Sequence, residues 1–87
     1  MGLDSVELVL TVEDVFDITI PDEHAPNMAT VGDLHQFVVG ELIRLGRPNV
    51  DRDVVYDLLR NLICFQLGVK PEQVTPAARF VQDLHAD

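Results

Sequence analysis

Residues 1–23 read MGLDSVELVLTVEDVFDITIPDE, and their periodicity decides how the rest of the chain must be arranged. Leu8, Val12, Val15 and Phe16 recur at helical spacing with Val6, Val9 and Leu10 on the flank of that stripe, which predicts a broadly buried first helix over Ser5 to Phe16. Asp4, followed three residues on by Glu7, forms a capping-box variant at its start. The helix does not run through the next segment. Thr19 alternates with Ile18 and Ile20 before Pro21, and Asp22 to Ala25 has room for a single helical turn before Pro26. A helix apolar over so wide an arc needs partners on more than one side, and the rest of the chain must provide them.

Two further long helices answer that need. Thr30 stands where an N-cap belongs, with Asp33 three residues on, and Val31, Leu34, Phe37, Val38 and Leu42 follow at helical spacing until Gly46 and Pro48. Asp51 or Asp53 opens the third helix, where Val54, Val55, Leu58, Leu59, Leu62, Ile63 and Phe65 mark a wide stripe and Gly68 is the C-terminal cap. The last stretch, VKPEQVTPAARFVQDLHAD, carries two prolines and scattered anchors at Val69, Val74, Phe80, Val81 and Leu84. It reads as an irregular arm tied down by apolar side chains, with no strand pairing. The fold class is all-α: a small bundle of three long helices and one short one.

Composition agrees with one small folded domain, since 47% of the 87 residues are apolar. The single cysteine, Cys64, forms no internal disulfide and builds no zinc site; its neighbours Leu62, Ile63 and Phe65 predict a buried thiol in a reducing cytoplasm. No basic, apolar leader and no span of membrane length occur, so the expectation is a soluble, cytoplasmic protein that does not bind membranes. The net charge of −9 is unevenly placed. From Met1 to Ile43 there are nine acids and no Lys or Arg, whereas from Arg44 onward six acids meet six bases. A surface so acidic repels nucleic acid and steers encounters with basic patches on other proteins, or serves only as a solvated face.

At this point the residues carry a family likeness. LDSVELVLTVEDVFDITIPDE followed by TVGDLHQFVV resembles the second, third and fourth helices of an acyl carrier protein. VVYDLLRNLICFQLGVKPEQVTPAARFVQDLHAD resembles that family's first helix and the loop leading to its second. The order is inverted, so the chain resembles a circular permutant: a single domain, 1–87, in which 1–45 corresponds to carrier helices II–IV, 46–52 is a linker, and 53–87 corresponds to helix I and its loop. Closing such a bundle needs only a short connection between neighbouring helix ends. The tail would then meet Met1 within one chain, as a monomer, or across two chains, as a domain-swapped dimer.

The resemblance implies a 4′-phosphopantetheine arm on a serine at the start of the second carrier helix, and here two registers compete. The triplet Asp4-Ser5-Val6 resembles the family's Asp-Ser-Leu and makes Ser5 the attachment site. The longer ungapped match through VELV, Phe16-Asp17 and Ile20-Pro21-Asp22 instead aligns the family serine with Gly2, which has no hydroxyl, and leaves Asp87 to supply the preceding acid. Ser5 would then lie one turn inside, displaced by about 4.5 Å, with helix initiation as its ordinary role. His85 stands where the family usually has glycine. The resemblance also implies partners: fatty-acid or polyketide enzymes with basic patches, met by Asp4, Glu7, Glu13, Asp14 and Asp17. In the alternative reading the chain is a working carrier with an acyl thioester at Ser5, sheltered by Val9, Val12, Phe37 and Leu59.

The residues give little to an enzyme. His24, His35 and His85 lie in separate segments, no glycine-rich phosphate loop occurs, and Cys64 has no neighbouring base. Asp22, Glu23 and His24 form a short acidic turn that is read as solvated rather than as a metal site. The expectation is a non-enzymatic module.

Overall fold

A computed structural model of the chain describes residues 6–24 and 27–84. Helix α1 spans Val6–Phe16, α2 spans Val31–Arg44 and α3 spans Arg52–Leu67, followed by a single 3-10 turn at Pro71–Gln73. Among the described residues the long elements are all helical, and α3 packs against both α1 and α2. Asp22–His24 is a turn, closed by the His24 N–H donating to the Pro21 carbonyl at 2.9 Å.

Each helix boundary has a local cause. Thr30 and Asp33 form a reciprocal capping box: the Asp33 N–H donates to Thr30 Oγ1 at 3.1 Å, and the Thr30 N–H donates to Asp33 Oδ2 at 3.2 Å. Helix α2 ends at Gly46, whose φ of +72° suits a residue without Cβ, and the Arg47 N–H closes back on the Leu42 carbonyl at 3.0 Å. Asp51 caps α3 by accepting from Asp53 and Val54, and Gly68 terminates it in the left-handed region. The capping expected at Asp4 lies outside the described residues.

The tail completes the end of α2. A helix begins with N–H groups that have no intrahelical acceptor. Here the capping box takes two of them, while Val31 N–H donates to the Ala78 carbonyl at 3.0 Å and Gly32 N–H to the Pro76 carbonyl at 2.9 Å. A Cβ on Gly32 would stand 2.9 Å from the Pro76 oxygen, so this approach requires glycine. An isolated antiparallel bridge joins Thr30 to Arg79, and Phe80 N–H donates to the Ala29 carbonyl at 3.0 Å. The arm is thus not wholly without strand pairing. Its side chains Val74, Ala78, Phe80 and Leu84 are buried in the same cluster as Leu8, Val12, Leu34, Val38, Leu59 and Ile63. The Cα radius of gyration, 11.9 Å, agrees with about 12 Å for a compact chain of this length, so the arm is folded in rather than extended.

Three expectations are corrected. Helix α1 is not broadly buried: Leu8, Val12 and Phe16 face the core, while Val6, Leu10 and Val15 are exposed. Helix α3 buries Val55, Leu59 and Ile63, but Phe65 is 85% exposed and Val54 and Leu58 are about half exposed, because α1 and α2 together cover only one side of α3. Cys64 is half-buried at the edge of the core rather than enclosed by it. In each case the sequence is apolar over a wider arc than the neighbouring helices can cover.

The tail is also held from α3. The Tyr56 hydroxyl donates to the Val74 carbonyl at 2.8 Å, and burial pushes its phenol above its ordinary pKa of 10.0. Three outcomes are expected. Phe80→Ala should lower unfolding stability by about 3–5 kcal/mol in a urea titration, a large share of the roughly 5–15 kcal/mol typical of a domain. As pH rises through 10, the unfolded chain releases the Tyr56 proton before the folded chain does, so stability should fall. Tyr56→Phe should cost about 1 kcal/mol near neutrality and remove that alkaline loss, measured by denaturant midpoints across the pH range.

Candidate functional site

The acidic face of α1 is the surface that the sequence reading expects to meet partners. Glu7, Leu10 and Asp14 lie within an arc of about 60° on the helix, with Val6 beside them, and all four are exposed. The surface therefore alternates acids with aliphatic side chains. Val6 and Leu10 were assigned to the flank of the buried stripe; periodicity alone does not say where that stripe stops. Asp4, Gly2, Ser5, His85 and Asp87 lie outside the described residues.

Not all of the acids are free to meet a partner. Glu13 is half-buried, and its Oε2 accepts the Ile20 backbone N–H at 2.7 Å, pulling the 18–20 segment back along α1. That bond is local structure, at the short end for a charge-assisted contact. Ile18 and Ile20 are thereby placed in the core. Asp17 has a left-handed backbone, φ +53°, and the Ile18 N–H closes on the Glu13 carbonyl at 3.2 Å, which ends the helix.

The cation that completes this helix end comes from far along the chain. Helix α1 has no basic residue in its last turn. Arg47 supplies one: its Nη1 donates to the Phe16 carbonyl at 3.0 Å and its Nη2 to the Asp17 carbonyl at 2.7 Å, with the Asp17 carboxylate 3.4 Å away. Positive charge at the carbonyl end of a helix is favourable. Arg47 belongs to the segment read as a mere linker, so that segment also clamps α1; nothing in its local sequence signals this contact, which joins residues 30 apart. Among the other first-half acids, Glu41 is bound through both carboxylate oxygens by Arg44, which holds its carboxyl below the ordinary value.

The histidines have structural surroundings. The His35 Nε2–H donates to the Arg52 carbonyl at 2.8 Å and its ring meets Tyr56 edge-on at 5.3 Å, tying α2 to the start of α3. The His24 ring lies 5.7 Å from that of Phe37. Among the described residues no three His, Cys, Asp or Glu side chains are grouped to hold a metal ion, and no helix is long and apolar enough to cross a membrane. Val12 and Leu59, two of the side chains expected to shelter an acyl chain, have no exposed surface, and Val9 and Phe37 lie against the edge of the same core.

Comparison with known proteins gives a partial match. The chain is 58% identical over 37 residues to an acyl carrier protein of Prochlorococcus marinus (strain MIT 9515), a stretch that covers 42% of this chain and 46% of that protein. The matched stretch thus spans about half the length of this relative, one of many that the chain resembles. No family model and no solved structure matches. The similarity supports an acyl-carrier-like, all-helical module.

Glu13 and Asp14 are adjacent acids with different surroundings, which gives a direct test. Glu13→Lys should lower stability by about 1–3 kcal/mol by orphaning the Ile20 N–H, while Asp14→Lys should stay within about 0.5 kcal/mol of the parent. Thermal or urea unfolding of the two variants side by side checks the contrast.

Proposed function

We propose that this chain is an acyl-carrier-like, non-enzymatic module that docks on acyl-chain or polyketide biosynthetic enzymes through α1, and that it carries no phosphopantetheine arm because Gly2 stands at the register of the modified serine. The observation that carries this reading is the 58% identity to an acyl carrier protein, taken with the exposed Val6, Glu7, Leu10 and Asp14 on one helix face. Aliphatic side chains set among acids suit a partner patch that is basic at its rim and apolar at its centre. Asp14 and Glu7 are the acids available for that contact, with Glu13 and Asp17 engaged in holding the helix end. The reading places the protein in the cytoplasm, among soluble biosynthetic enzymes.

The reading includes permuted connectivity. Two findings support it. Residues 74–84 lie against the N-terminal end of α2, with Phe80 and Leu84 buried. The segment joining α2 to α3 is short, and Arg47 within it is used structurally.

The second reading, a working carrier with 4′-phosphopantetheine on Ser5, is favoured by the Asp4-Ser5-Val6 triplet. One experiment separates the two. The purified chain is incubated with coenzyme A and a broad-specificity phosphopantetheinyl transferase and then weighed intact. The expected result is an unchanged mass for the parent and the appearance of a modified species when Gly2→Ser restores the hydroxyl. A mass gain in the parent that disappears in Ser5→Ala would overturn the proposal in favour of the carrier.

A further inference from the structure

The surface of α3 that the core leaves uncovered has a definite shape. Val54, Leu58, Asn61 and Phe65 fall within an arc of about 60° on that helix, and Phe65, at 85% exposure, is its most prominent apolar side chain. Near the other end of the same face lies an open recess of about 270 Å³, lined by Phe16, Leu42, Val50, Val54, Val55 and Leu58 together with the polar Arg47, Asn49 and Asp51. The chain therefore carries an aromatic knob on α3 and, about 16 Å away along the helix axis, a mostly apolar recess that α3 shares with its neighbours. A cavity of about 150 Å³ suffices for a benzene ring, so the recess is large enough for a phenylalanine side chain.

The geometry points to a two-fold dimer in which α3 pairs antiparallel with α3 of a second copy and each Phe65 enters the other's recess beside Val54 and Leu58. An antiparallel arrangement centred between Leu59 and Arg60 brings Val54 opposite Phe65 of the partner subunit at both ends, so the contact is self-complementary and closes without leaving a free site. Charge selects the same face. The first 43 residues hold nine acids without a base, which repels a like copy, whereas the second half is balanced. On α3 itself, Asp57 and Arg60 form a pair at 3.2 Å. That pair is neutral overall, so the flank of the stripe adds no net repulsion between copies. Asn61, the one polar residue in the stripe, opposes Leu58 and not another amide, and limits the contact to modest affinity. This inference draws on α3 and on the recess that α3 shares with Phe16, Leu42 and Val50, and it does not depend on the docking role of α1.

Sedimentation velocity over a concentration series tests it. The expected result is reversible dimerisation in the micromolar to millimolar range, tightening as salt screens the net charge. Phe65→Ser should raise the dissociation constant about tenfold or more, with unchanged helical circular dichroism, because Phe65 contributes little to the core. Leu58→Glu, which alters the recess from its rim, should do the same. A parent that stays monomeric throughout would overturn the proposal. So would a dimer that Phe65→Ser leaves intact, since that behaviour belongs to exchange of the tail between chains or to a different surface.

Discussion

The structure depends on the seating of the tail against the first turn of α2. Four N–H groups at that helix end need acceptors, and two of them find carbonyls at Ala78 and Pro76, on the far side of the chain in sequence. The contact is close enough that position 32 has no space for a side chain. Its apolar counterpart is Phe80, fully buried among residues from the helices. Removing the tail would expose a helix end and open the core together, which in a domain this small leaves little to hold the bundle. Tyr56, reaching from α3 to the Val74 carbonyl, fastens the same arm from its other side.

A second long-range contact fixes α1. The helix is short, has no cation of its own at its carbonyl end, and shows an acidic surface that would otherwise add to the unfavourable end charge. Arg47 answers both problems from the segment that joins α2 to α3. This makes the joining segment more than a tether: its length brings α3 alongside α2, and its arginine locks α1. Glu13 does the related task within the first half, turning the chain back so that Ile18 and Ile20 enter the core. The helix proposed to face partners is therefore clamped at its end, and an interaction surface on a rigid helix loses less conformational entropy on binding than one on a loop.

What was legible in the residues was local. Thr30 with Asp33, Asp51 and Gly68 mark helix ends because capping is a matter of side chains within a few positions of the bonds they make. The tail's anchors Val74, Phe80 and Leu84 were also readable, as isolated apolar residues in a polar, proline-bearing stretch. The solvent-facing side of α3 was not. Val54, Leu58 and Phe65 lie next to Val55, Leu59 and Ile63 around the helix, and a wide apolar stripe does not state which part the neighbours will cover. The role of Glu13 was hidden for the opposite reason: its partner is a backbone N–H, which every non-proline residue carries and no sequence motif reports. Likewise, the site residues proposed at the head of α1, Gly2 and Ser5, are separated by register alone, a matter of chemistry that a mass measurement reads directly.

The two surfaces drawn from this structure have opposite electrostatic character, and that difference keeps them independent. Helix α1 presents acids interleaved with Val6 and Leu10, a face that two copies of the chain would hold apart at low ionic strength. Helix α3 presents an apolar stripe beside a neutral ion pair, a face that gains nothing from a basic partner and loses little by approaching its own kind. Salt should therefore act in opposite directions on the two proposed contacts, screening the attraction between α1 and a basic partner and relieving the repulsion that opposes self-association through α3. The first half holds all of the net charge, so the two faces differ in charge as well as in position. The acidic face is carried by α1 alone, whereas the recess beside α3 is walled by Phe16, Leu42 and Val50 as well as by α3, so the second surface forms only when the two halves are packed together.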